Sequence, residues 1–95
     1  MYYVYVLRCS DDSLYSGICV DVEKRYEQHL NKEGAKYTRS HPPVKIEAIF
    51  KCENRSQASK LEYQIKHLSK IQKEKLIICE EQFIDQNIYQ RIDTL

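Results

Sequence analysis

The chain opens on alternation. In "YYVYVLRC", residues 2–9, and "SLYSGICV", residues 13–20, apolar and aromatic side chains recur at every second position, with "SDD" between them. Two runs of this kind joined by turn formers predict a β-hairpin. A three-residue loop, Ser10 to Asp12, pairs Leu7 with Tyr15 and Tyr5 with Gly17. Val4, Val6, Leu14, Ile18 and Val20 then share an aliphatic face, and Tyr3, Tyr5, Leu7, Tyr15 and Gly17 share the other. A slip of one residue would mix the two sets, so the odd-length loop is preferred. It also places Gly17 opposite Tyr5, leaving room beside that ring.

The period then lengthens. Asp21 is placed to cap a helix that runs to about Asn31, with Val22, Tyr26 and Leu30 as its buried stripe. Arg25 and His29 fall inside the arc where more apolar residues are expected, one turn apart and therefore neighbours. Residues 32–45 read as a loop, broken by Gly34, Pro42 and Pro43. "VKIEAIF", residues 44–50, predicts a third strand with Val44, Ile46, Ala48 and Phe50 inward. A second helix is expected from about Arg55 to Leu68, capped by Ser56, with Ala58, Leu61, Ile65 and Leu68 as its stripe. Glu62 lies on the edge of that stripe. Ser69 and Gln72 fit a capping box that opens a third helix to about Cys79. Phe83, Ile84, Ile88, Tyr89 and Ile92 then mark a C-terminal extension, residues 80–95, as a short helix or a packing segment. The result is one domain, residues 1–79, followed by that extension.

Composition narrows the class. A chain of 95 residues with 42% hydrophobic and 31% charged content is a soluble globular profile with one small core. No apolar run approaches the length of a membrane span, and "MYYVYVLR" lacks the basic start and cleavage pattern of an export signal. Cys9, Cys19, Cys52 and Cys79 form no C-x-x-C pair. Zinc is disfavoured, and free thiols without an export signal point to a reducing cytoplasm. The cysteines read as small buried hydrophobes. Lys and Arg total 15 against 14 Asp and Glu, so net charge alone does not announce a nucleic-acid partner.

Taken singly, Tyr5 or Tyr15 is ordinary sheet packing, Arg25 half a salt bridge, His29 structural and Glu62 a surface charge. Taken together they are the parts that phosphodiester cleavage needs. A cation neutralises the phosphate, and a base activates water directly or through a neighbour. A carboxylate with several waters suits Mg²⁺ or Mn²⁺, and such an ion stabilises developing charge. A nucleic-acid-binding or partner-binding module with little turnover is the competing reading; pure binding has no need of a carboxylate among phosphate ligands.

The series Tyr5, Tyr15-Ser16-Gly17, Arg25, His29 and Glu62 resembles the GIY-YIG nuclease superfamily. "YVYVLRC", "LYSGICVDVEKR", "QH", "GAKYTR" and "ASKLEYQIKHLSK" are similar, in order and spacing, to its short stand-alone bacterial branch. They also resemble the N-terminal nuclease domain of the incising component of bacterial excision repair. The resemblance implies a small α/β (α+β) fold, with a three-stranded antiparallel sheet flanked by about three helices. It implies a DNA endonuclease of repair or processing that acts with one divalent metal, Mg²⁺ or Mn²⁺, held by Glu62. Tyr15 would act as or relay the general base, Tyr5 would position water or phosphate, and Arg25 would bind the scissile phosphate. His29 would accept the phenol's proton or hold the phosphate. The first motif reads Tyr3-Val4-Tyr5, without its glycine, and Ile18 stands where some relatives carry a lysine. Gly17, Lys36, Tyr37, Arg39 and Lys66 are the candidate DNA contacts. Branched, flap or nicked DNA is the expected partner.

Overall fold

The hairpin forms in the expected register. The computed structural model describes residues 1–92. β1 (Tyr2–Cys9) and β2 (Leu14–Cys19) pair antiparallel, with Tyr5 opposite Gly17 and Leu7 opposite Tyr15. The loop closes through Cys9 N–H to Ser13 O at 2.8 Å and Asp12 N–H to Cys9 O at 2.9 Å. Asp12 takes φ 69°, the left-handed residue that a three-residue hairpin loop requires and that aspartate tolerates.

α1 (Val22–Leu30) follows, capped by Asp21, whose carboxylate accepts from Lys24 N–H. The segment expected to be a loop winds into a five-residue helix, α2 (Lys36–Ser40). β3 (Pro43–Cys52) then pairs with β1. α3 (Arg55–Lys66) is capped by Asn54 rather than Ser56: the Asn54 side chain accepts from Gln57 N–H. α4 (Lys70–Ile77) opens with the predicted capping box of Ser69 and Gln72.

Among the described residues the fold is α+β, with four strands instead of three and four helices instead of about three. Among the described residues, the extension from Glu80 packs as a segment and forms β4 (Gln90–Ile92) rather than a helix; residues 93–95 lie outside the described residues. β4 pairs antiparallel with β3, giving the order β2-β1-β3-β4. Ile84 joins the core, and Ile88 and Tyr89 pack against it. Arg91 locks this segment down. Its guanidinium donates to the carbonyls of Leu76 at 2.7 Å and Ile77 at 2.6 Å, at the end of α4, and sits over the Phe50 ring.

Both faces of the sheet are covered. Val4, Val6, Ala48, Phe50 and Cys52 meet Ala58, Leu61 and Ile65 of α3 and Leu76 of α4. The opposite face buries Tyr5, Leu7, Cys9 and Ile49 beside Val22, His29 and Thr38. Three expected core positions are exposed: Val20, Leu30 and Val44. For β3 the cause is the register. Leu7 pairs with Ile46 and Cys9 with Pro43, so the strand shifts at Glu47 and again at Val44. Each extra residue interrupts the alternation on which the prediction rests. In α1 the buried positions are Val22 and His29, with Tyr26 only half-buried. Cys79, which follows α4 in the left-handed region, is exposed, whereas Cys9 and Cys52 are buried as expected.

A second clamp joins α4 to the sheet. Arg8 makes a forked contact to Glu74 at 2.5 and 2.6 Å and reaches Glu47 at 2.9 Å. It holds the Glu74 carboxyl down to about 2, with Lys70 assisting.

Arg91→Ala removes two charge-assisted bonds to helix-terminal carbonyls and the cation over Phe50. It is expected to destabilise the fold by about 2 kcal/mol, read as a lower urea midpoint with an unchanged m-value.

Candidate active site

Tyr5 lies mid-strand in β1 with its ring on the α1 side, 2% exposed. Its hydroxyl is 2.8 Å from His29 Nε2 and accepts from Arg25 Nε at 3.4 Å. His29, one turn beyond Arg25 on α1, is 1% exposed. Its Nδ1 is 2.6 Å from Thr38 Oγ1, and the Thr38 hydroxyl donates to Ala35 O at 2.9 Å. Arg25 is further steadied by Gln28 Oε1 at 3.1 Å. The polar residues on the inward arc of α1 thus replace the apolar stripe, and the sheet meets them with a tyrosine.

Burial sets the proton affinities. It pushes the Tyr5 phenol up to about 12, against the opposing pull of the Arg25 hydrogen bond. It pushes His29 down to about 4, and the nearby Arg25 cation adds to the effect. At neutral pH the pair is therefore a neutral phenol and a neutral imidazole. Tyr15 is different. It is half-buried, and among the described residues its hydroxyl has no hydrogen-bond partner. Its pKa is raised by burial, with Arg25 opposing and the Glu62 carboxylate of α3 adding to the rise. Glu62 thus lies within electrostatic reach of the phenol while pairing with Lys66 at 3.5 Å.

The two glycines of the chain both serve this cluster. A Cβ on Gly17 would come within 2.7 Å of Tyr5 Cζ. A Cβ on Gly34 would come within 2.7 Å of His29 Cε1 and 2.9 Å of Cγ. Around them the aromatic rings form a ladder. Tyr15 packs edge-on to His29 at 5.5 Å and lies parallel to Tyr37 at 5.7 Å, and Tyr37 stacks on His41 at 4.0 Å.

A family model for the GIY-YIG catalytic domain matches residues 1–76. This chain belongs to the GIY-YIG family. It is 52% identical over 83 residues to a UPF0213 protein of Fusobacterium nucleatum, covering 87% of this chain and 83% of that one. A UPF0213 protein of Cupriavidus necator is 44% identical over 76% of this chain and 78% of its own length. The solution NMR structure of the UPF0213 protein BH0048 from Bacillus halodurans matches with a TM-score of 0.55 and 40% identity. That match covers 84% of this chain and 86% of that one.

Within this GIY-YIG domain, Tyr5, Tyr15, Gly17, Arg25, His29 and Tyr37 converge on one side of the sheet, while Glu62 approaches from α3. Gly17 is buried beneath Tyr5, so its contribution there is the space it leaves. His29 is enclosed, with both ring nitrogens engaged, and offers no free edge to a phosphate. Ile18 packs with the core on the face opposite Tyr15, so a longer side chain there starts from the wrong side of the strand. Lys36 and Arg39 are exposed on α2, and Lys66 is exposed on α3. Thr38, Gly34 and Gln28 are members that the pattern of the chain did not single out. The available signal was that all three lie within "QH" and "GAKYTR", stretches that resemble the family as wholes.

Gly34→Ala drives a methyl group into a ring held at both nitrogens. The small entropic gain of such a substitution is outweighed by overpacking, and a net loss of about 1–2 kcal/mol is expected in denaturant titrations. His29 also makes stability depend on pH. Its folded pKa of about 4 lies below the unfolded value near 6.5, so the unfolded chain takes up the proton first. Stability is complete above pH 6.5 and falls as pH drops toward 4. Between pH 7 and 4.5 the loss is about 2–3 kcal/mol, and His29→Gln flattens this part of the stability–pH curve.

Proposed function

We propose that this GIY-YIG protein is a metal-dependent endonuclease that hydrolyses a phosphodiester bond in DNA, acting on nicked, flap or branched duplexes in repair or processing. The observation that carries the reading is the pairing of a fixed guanidinium, Arg25, with an unpartnered phenol, Tyr15, beside the Glu62 carboxylate. Arg25 is the phosphate ligand: a preorganised cation stabilises charge on the phosphoryl oxygens without further reorganisation. Tyr15 receives the attacking water's proton or relays it, because its hydroxyl is free. Tyr5 and His29, both enclosed, hold Arg25 and the Tyr15 ring in place.

The residues present fit a hard divalent ion of the Mg²⁺ or Mn²⁺ type. Among the described residues no three His, Cys, Asp or Glu side chains cluster. A single half-buried carboxylate, Glu62, suits an ion that keeps most of its waters. When bound, the ion supplies Lewis-acid stabilisation of the leaving oxygen. Lys66 gives up its contact to Glu62 and turns to a phosphate. Lys36 and Arg39 supply further backbone contacts, which position a duplex without reading its sequence, while Tyr37 holds the Tyr15 ring from the DNA side. With a net charge of only +1, affinity is modest and falls steeply with salt.

The test uses plasmid, nicked, flap and branched DNA with Mg²⁺, Mn²⁺ or chelator. Cutting is expected with either ion and none with chelator. Glu62→Ala and Tyr15→Phe are each expected to lower kcat by about 100-fold or more. The rate rises with pH from neutral into the alkaline range, because the Tyr15 phenol ionises above its ordinary value. Cutting that persists in both variants, or no cutting of any substrate, overturns the proposal.

A further inference from the structure

The hydrogen bonds around His29 have a direction that the position of one hydroxyl proton decides. A threonine hydroxyl carries a single proton. Thr38 Oγ1 lies 2.9 Å from Ala35 O, and two oxygens at that separation repel unless a proton lies between them. The Thr38 proton therefore points to Ala35, and Oγ1 meets His29 Nδ1, 2.6 Å away, as an acceptor. Nδ1 then carries the imidazole proton. Because the ring is neutral, Nε2 holds a lone pair, and the Tyr5 hydroxyl 2.8 Å from it must donate. The Tyr5 proton is thus committed inward, which agrees with Arg25 Nε–H donating to the same oxygen at 3.4 Å.

We propose that Thr38 is a positioning residue: it holds His29 in the Nδ1–H tautomer, and so makes the Tyr5 hydroxyl a hydrogen-bond acceptor for the Arg25 guanidinium. The rule behind this is general. The hydrogen bond made by one imidazole nitrogen sets what the other can do, and the wrong tautomer in an intact geometry is costly to catalysis. A Tyr5 hydroxyl with its proton turned to His29 meets the Arg25 Nε–H as an acceptor, and so holds the cation that the nuclease reading assigns to the phosphate. It has no proton to give a phosphate oxygen. Reversing the tautomer reverses Tyr5: Nε2–H would then donate to the phenol, whose own proton would turn toward the Arg25 guanidinium, itself a donor, and loosen its hold on that cation. Thr38 is 0% exposed and reaches the site only through His29. Gly34 lies so close beside the imidazole that a Cβ there would meet the ring. The catalytic part of this inference rests on the nuclease reading above; the tautomer part does not.

The experiment is histidine-labelled long-range ¹H–¹⁵N spectroscopy on the full chain at pH 7, for wild type, Thr38→Ser and Thr38→Val, with DNA cleavage kinetics alongside. Wild type and Thr38→Ser are expected to show the proton on Nδ1 of His29. Thr38→Val has the same shape but no acceptor, and is expected to move the proton to Nε2 in a substantial fraction of molecules. In the same variant kcat should fall by about tenfold or more with KM within about twofold, and Thr38→Ser should restore it. An Nε2–H tautomer in the wild type overturns the proposal without any variant, so the wild-type spectrum decides even where the Thr38→Val chain fails to fold. An unmoved tautomer in Thr38→Val, or a moved tautomer with unchanged kcat, also overturns it. If the wild type cuts no DNA, the nuclease reading falls, and the spectra alone decide the role of Thr38 in setting the tautomer.

Discussion

The Tyr5–His29–Thr38 chain of hydrogen bonds is the constraint around which one side of this molecule is arranged. Three polar side chains are buried between a sheet and a helix, where an unmade hydrogen bond costs roughly 1–3 kcal/mol. All three are satisfied: phenol to imidazole, imidazole to hydroxyl, hydroxyl to backbone. Satisfying them dictates much of the local fold. α1 turns its polar arc inward and leaves Leu30 to solvent. Residues 36–40 coil so that Thr38 can reach the ring. Both glycines of the chain lie against the pair, because any side chain there would occupy the volume of a ring that cannot move.

That arrangement separates two phenols which the sequence treats alike. Tyr5 is saturated by partners and held neutral by burial, whereas Tyr15 stands half-buried with its hydroxyl unclaimed. The Arg25 cation reaches both and opposes the rise in each. Burial thus tells the two apart: one phenol is enclosed and fixed, the other keeps its hydroxyl open. The remainder of the fold keeps this geometry stiff. Arg8 clamps α4 to the sheet through Glu74 and Glu47, and Arg91 clamps the C-terminal segment to the end of α4. These are partly buried charged contacts with forked or paired geometry, which are the stronger kind.

Much of this was legible from the order of residues. The hairpin register followed from requiring that aliphatic and aromatic positions not mix, and Tyr5 opposite Gly17 followed from the register. Asp21 and the Ser69–Gln72 box declared their helices, since capping is a local interaction among residues three apart. The polar arc of α1 was visible because a guanidinium and an imidazole occupied positions that a helix normally fills with aliphatics. The failures have a common cause. Val44 and Ile46 alternate correctly in sequence, but bulges at Glu47 and Val44 turn them, and a bulge is set by the partner strand. β4 is three residues long, too short to carry a period, and it exists because β3 offers an open edge.

By itself, then, the amino-acid sequence determined the strands of the hairpin, three of the helices, the aliphatic core face and the inward turn of Tyr5, Arg25 and His29. All of these depend on contacts between residues close in the chain or on a repeat of two or 3.6. Tertiary structure alone decided which phenol is enclosed, that Thr38 and Gly34 support His29, and that the C-terminal segment completes the sheet. Those outcomes depend on which groups are removed from water together. Desolvation belongs to a volume built from distant parts of the chain, and no local pattern encodes it.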